Sequence, residues 1–128
     1  MASPVMTFNA LGNIASSQAL AAGATSVLYS IDASTDFELQ MQVDILAGAA
    51  VAATNGVTVN VYRVLGSGTL DTDTIPAVAF TITPLTASAH SVKTVALSTG
   101  KYEISLTNTD ATNAVTYTVT SAAVTSIA

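Results

Sequence analysis

The chain has 128 residues, the length of one domain, and no cysteine, so no disulfide enters its fold. Only 9% of its residues are Asp, Glu, Lys or Arg, against about 25% in ordinary soluble domains, and the net charge is −5. Its three cations, Arg63, Lys93 and Lys101, cannot form the basic patch that nucleic acid or an anionic membrane surface requires.

Half of the residues are apolar but only 5% are aromatic. The apolar share is mostly Ala and Val, and the polar share mostly Thr, Ser and Asn. Val and Thr favour strands, because two heavy atoms on Cβ suit a pleated surface. Residues 1–31 carry no charged side chain. Residues 1–4 lack a basic n-region and no compact apolar stretch follows, which reads as a protein made in the cytoplasm. Asn9, Gly12, Asn13, Gln18 and Gly23 interrupt the stretch too often for a spanning helix.

In chain order, residues 5–11 read as a first strand. Residues 15–24 fit either a helical turn or an extended arm. Val27, Tyr29 and Ile31 alternate with Leu28 and Ser30 as a short strand, and Asp32 and Asp36 then suit an Asx-type turn. Phe37, Leu39, Met41, Val43 and Ile45 alternate strictly with Glu38, Gln40, Gln42 and Asp44, which predicts an antiparallel strand with one buried face. Residues 47–56 form an uncharged Ala/Gly-rich connection ending in the turn signal Asn55-Gly56. Strands follow at 57–64, 78–82 and 92–97, the last closed by a turn at Ser98, Thr99 and Gly100. Tyr102, Ile104 and Leu106 begin a hairpin whose loop is 108–113, and Val115, Tyr117 and Val119 return from it. Residues 124–127 suit a final short strand. The expectation is an all-β fold: a single antiparallel β-sandwich of seven or eight short strands, jelly-roll or immunoglobulin-like. An extended N-terminal segment, 1–24, precedes the sandwich domain, 25–128.

Motifs for chemistry are few. His90 is the single histidine, and no nucleophile motif accompanies it; a pocket joining it to a carboxylate would be the sign of an enzyme. Asp71 and Asp73 have the spacing that opens a calcium loop, without the glycine and closing glutamate of an EF-hand. Gly66-Ser67-Gly68 is followed by no Lys and no helix, so it is not a phosphate loop. No catalytic residue and no cofactor are expected. The uncharged stretches 1–31 and 47–56 point instead to contact between subunits. Their apolar residues Val5, Phe8, Leu11, Ile14, Leu20 and Val51, with Tyr62 on the Thr/Asn face of its strand, are the interface candidates. The alternative is that the N-terminal segment folds back along its own sandwich.

Residues 25–43, with Ile31, Asp32 and Ser34 leading into the long alternating strand, and residues 54–64 resemble small structural proteins of tailed bacteriophages, in the style of head decoration (cement) proteins. The resemblance spans residues 10–65 and carries no functional residue across. It implies a virion protein on the capsid surface, made in the host cytoplasm. Its partners would be the major capsid protein and copies of itself, as a dimer or trimer. A phage tail or fibre component, and a cell-surface adhesin or carbohydrate-binding sandwich, are the other readings.

Overall fold

The computed structural model describes residues 6–8, 12–48, 55–64, 75–83 and 87–127. Every regular element among them is a strand: β1 Met6–Phe8, β2 Gly12–Leu20, β3 Tyr29–Ala47, β4 Val57–Val64, β5 Val78–Ile82, β6 His90–Asn108 and β7 Val115–Ile127. All pairings are antiparallel, in the order β1-β7-β3-β6-β4-β5, with β2 also on β7. The fold is all-β and sandwich-like, as expected.

Its strands are not uniformly short. β3 and β6 each run 19 residues. The turns expected at Asp32/Asp36 and at Ser98 to Gly100 are a shared bend instead. Ala33 pairs with Gly100 and Glu38 with Ser98, so the four residues 34–37 bulge opposite Thr99 alone. Gly100 takes a φ of 149°, which glycine tolerates and other residues do not. The Thr99 hydroxyl donates to Ala33 O at 2.9 Å and the Tyr102 hydroxyl to Ser98 O at 2.8 Å. Polar groups are thus satisfied inside a bulge, and pairing continues past it.

The bend divides the sheet. One half holds β2, β7, β3 from Glu38 and β6 up to Ser98; the other holds β3 up to Ala33, β6 from Gly100, β4 and β5. The halves close over one core. Leu39, Met41, Val43, Ile45 and Val119 come from the first, and Val57, Val59, Val61, Ile104 and Leu106 from the second. Burying each such side chain contributes about 1.5–3 kcal/mol before the entropy of ordering. Across the core, Tyr29 of the second half meets Tyr117 of the first edge-on, with ring centroids 6.1 Å apart and hydroxyls hydrogen-bonded.

The segment at 1–24, expected as an arm, carries β1 and β2, both paired to β7 of the same chain. The undecided stretch at 15–24 is therefore largely strand. β2 has no clean alternation because its register shifts twice, between Asn13 and Ala15 and between Ala15 and Gln18, with Ser17 at a φ of 46°. At Asn55-Gly56 the expected positive φ is present, 78° at Gly56.

Candidate interaction surface

The first half-sheet turns a polar, nearly uncharged face outward. On β3, the core residues Leu39 to Ala47 alternate with the outer row Glu38, Gln40, Gln42, Asp44 and Leu46. Register extends this row sideways. Gln42 lies between Thr120 and Thr94, Gln40 between Ala122 and Ala96, Asp44 between Thr118 and Val92, and Leu46 between Thr116 and His90. Asn13 of β2 continues the Thr120 row. A depression of about 210 Å³ on this face is lined by Gln40, Gln42, Thr94 and Ala122. The Thr120 hydroxyl, covered by its neighbours, has no hydrogen-bond partner among the described residues.

Asp44 and His90, 46 positions apart in the chain, meet at one end of this face. His90 Nδ1 lies 2.8 and 3.0 Å from the two Asp44 carboxylate oxygens. The imidazole side chain is 60% exposed. No hydroxyl among the described residues bonds its ring, and His90 lines none of the three depressions described here. The pair is a solvated cross-strand contact.

The second half-sheet has a smaller mixed patch. Tyr62 is half-buried on its outer face, opposite Glu103, which pairs in turn with Ser30. Ser30, Asp32, Lys101 and Glu103 border a depression of about 230 Å³ there. A third, apolar depression of about 450 Å³ sits at the sandwich end, between Ala19, Leu46, Gly48, Ser88 and Val115.

Of the residues nominated from sequence, Val5, Leu11, Val51, Asp71 and Asp73 lie outside the described residues. Phe8 falls in β1, opposite Val124. Ile14 packs against the core, and Leu20 is 3% exposed, inside the core of its own chain. Among the described residues no group of three or more His, Cys, Asp or Glu side chains could hold a metal.

Two polar clusters support the fold instead. Asp110, 2% exposed in the β6–β7 loop, accepts at Oδ1 from the backbone N–H groups of Thr112 and Asn113, each at 2.8 Å. Asn108 ties that loop to the β2 end, donating to Leu20 O at 3.3 Å and Asn113 O at 2.8 Å. In the core, burial pushes the Tyr117 hydroxyl up from 10.0 to about 12, and the hydrogen bond with Tyr29 adds to the rise.

Comparison with known proteins places the chain in no family: no family model and no curated protein matches it. Among solved structures, it is similar to a chain from Bacillus endospore appendages, described as a novel family of disulfide-linked pili, at 14% identity and a TM-score of 0.47, covering 97% of this chain and 90% of that one. It is also similar to a family 35 carbohydrate binding module from Clostridium thermocellum, at 14% identity and a TM-score of 0.32, covering 93% and 98%.

Proposed function

We propose that this chain is a non-enzymatic structural subunit that acts by packing against other protein subunits, and that its setting is a phage head, where it clamps neighbouring capsid subunits as a decoration protein. The observation that carries the first part is the outward face of the first half-sheet. Thr, Gln, Asn and Ala occupy the rows of Gln40 and Gln42, with Glu38 in the row to one side and Asp44 and His90 in the two rows to the other. Such a face is wetted well enough to stay in solution, yet loses little when covered, because no charge at its centre must be stripped of water. The phage setting is supported by the resemblance of residues 25–43 and 54–64.

The experiment is co-sedimentation with intact and with undecorated phage-like shells. Saturable binding at a fixed ratio to shell subunits, together with a raised rupture temperature of the shell, is the expected result. A protein that stays in the supernatant with both refutes the decoration reading.

A glycan-binding surface is the second reading, favoured by Tyr62 beside Glu103 and the depression that Asp32 and Lys101 border. It predicts saturable glycan binding that Tyr62→Ala abolishes.

A further inference from the structure

We propose that Asn55 is a site of covalent self-modification, at which the backbone nitrogen of Gly56 closes on the Asn55 side chain, releases ammonia and leaves an aspartate or isoaspartate. Ring closure is easiest where the following residue has no side chain to hinder it. Of the chain's asparagines only Asn55 precedes a glycine; Asn9, Asn13, Asn60, Asn108 and Asn113 precede Ala, Ile, Val, Thr and Ala. The fold itself imposes that glycine. Gly56 takes a φ of 78°, and a Cβ there would lie 2.3 Å from Ile82 O. The site holds whichever partner the chain packs against.

The surroundings of Asn55 favour the reaction in the folded chain. Asn55 is exposed, so ammonia leaves to solvent and water reaches the ring. The Gly56 N–H meets no acceptor among the described residues, so no hydrogen bond is given up when a base of the medium takes its proton. The Thr109 hydroxyl stands 2.8 Å from Asn55 O and 3.0 Å from Gly56 O, and donates its one proton between them. Loss of the Gly56 proton places negative charge on Asn55 O, and the hydroxyl then turns fully to that oxygen. Gly56 O is not stranded, because the Thr109 N–H donates to it at 3.1 Å. The contact is therefore stronger in the charged state than in the resting one, which is the condition for accelerating a step. The same residue holds the side-chain amide, since Asn55 Nδ2 donates to Thr109 O at 3.4 Å.

In the step itself the deprotonated Gly56 nitrogen attacks Asn55 Cγ. A bond from Cγ to that nitrogen forms, the bond from Cγ to Nδ2 breaks, and Nδ2 leaves as ammonia with a proton from solvent. The product is a cyclic imide, and water then opens it at one of its two carbonyl carbons. Opening at Cγ gives aspartate in place. Opening at the main-chain carbonyl gives isoaspartate, with the chain rerouted through Cβ. No oxidant or reductant takes part. Either product puts a negative charge into residues 47–56, which carry none. It also sets a carboxylate where an amide donated to Thr109 O, acceptor against acceptor, and so loosens the tie between the entry to β4 and the end of β6.

The test is timed incubation of the full chain at mildly alkaline pH, folded and in urea, with peptide mapping by mass spectrometry and enzymatic methylation of isoaspartate. The expected result is conversion at Asn55 ahead of every other asparagine, no slower in the folded chain than in urea. Thr109→Val should slow the folded reaction about tenfold, the worth of one hydrogen bond to a charged group, and Thr109→Ser should restore it. An Asn55 that converts in urea but is spared in the folded chain overturns the proposal, as does another asparagine converting first. A Thr109→Val protein that converts as fast as the wild type overturns the part given to the hydroxyl. The comparison of folded with unfolded wild type needs no variant, so it decides the matter even if Thr109→Val fails to fold.

Discussion

Raising the pH should unlatch the two halves of the sandwich at Tyr117. The folded protein holds the Tyr117 hydroxyl at about 12, against 10.0 for a free tyrosine, first through burial and then through Tyr29. A tenfold change in an ionisation constant is about 1.4 kcal/mol, so the neutral phenol is favoured in the fold by about 2–3 kcal/mol. The sign follows from which state ionises first. Below pH 10 both states carry the neutral phenol and this stability is whole. Between 10 and 12 the unfolded chain ionises while the folded chain resists, so stability falls; above 12 the contribution is gone. Against a total of about 5–15 kcal/mol for a domain, the loss is large enough to measure. The assay is urea unfolding at several pH values from 7 to above 11, with the wild type beside Tyr117→Phe. The variant should lose about 1 kcal/mol at neutral pH for its hydrogen bond and then show a flatter decline above pH 10. If both proteins decline with the same slope, the alkaline sensitivity belongs to other groups, and the latch reasoning is wrong.

Gly56→Ala should cost about 2–3 kcal/mol, because the new Cβ meets Ile82 O at 2.3 Å and Thr83 Cβ at 2.6 Å, at a φ of 78°; an unchanged denaturant midpoint would contradict the geometry. Asp110→Ala strips the acceptor from two loop amides and should destabilise the fold by about 2–3 kcal/mol, read as a lower thermal midpoint, with Asp110→Asn intermediate. Equal midpoints for all three proteins would show that the carboxylate does not brace the loop. Lys93→Val should raise light scattering on storage without lowering stability, since it removes a charge from the core-side row of an edge strand.

Much of this fold was legible in the residues, and what was not has identifiable causes. The alternation over 37–45 placed the core row of β3, and the bounds of β4 and β5 matched the runs at 57–64 and 78–82. The bend reads as turns in the sequence because a turn and a bulge use the same chemistry: Gly100 with Ser and Thr before it, and Asx residues around Ser34. Only the pairing partner tells the two apart, and that partner is distant in sequence. The stretch 15–24 stays open between a helical turn and an extended arm in sequence because the buried residues of β2, Ala15 and Leu20, are five apart, a spacing that bulges create and no period describes. The Asp44–His90 pair depends on register between neighbouring strands and the Tyr29–Tyr117 pair on how the two halves close over the core, so neither residue signalled the other. Asp110 did leave a signal: an Asp followed by Thr112 and Asn113 in a turn is the pattern of a side chain capturing amides ahead of it.

The strand edges bear on how such a chain associates. An open edge invites another strand, and three of the edges among the described residues have a feature that discourages it. β2 is bulged at two places and strained at Ser17. β5 is five residues long and follows Pro76 closely. Over residues 90–98, β6 carries Lys93 opposite Val43, in the row that faces the core further along. A strand docking there would have to accommodate that ammonium group. Edge-to-edge pairing is thus disfavoured on all three, while the Gln40/Gln42/Thr94 face has no comparable obstacle. A chain that guards these three edges and leaves a nearly uncharged face open is shaped for contacts that close at a defined size. Strand addition, by contrast, would propagate without limit. On the proposed reading this difference matters, because a subunit that clamps a shell must saturate its sites and stop.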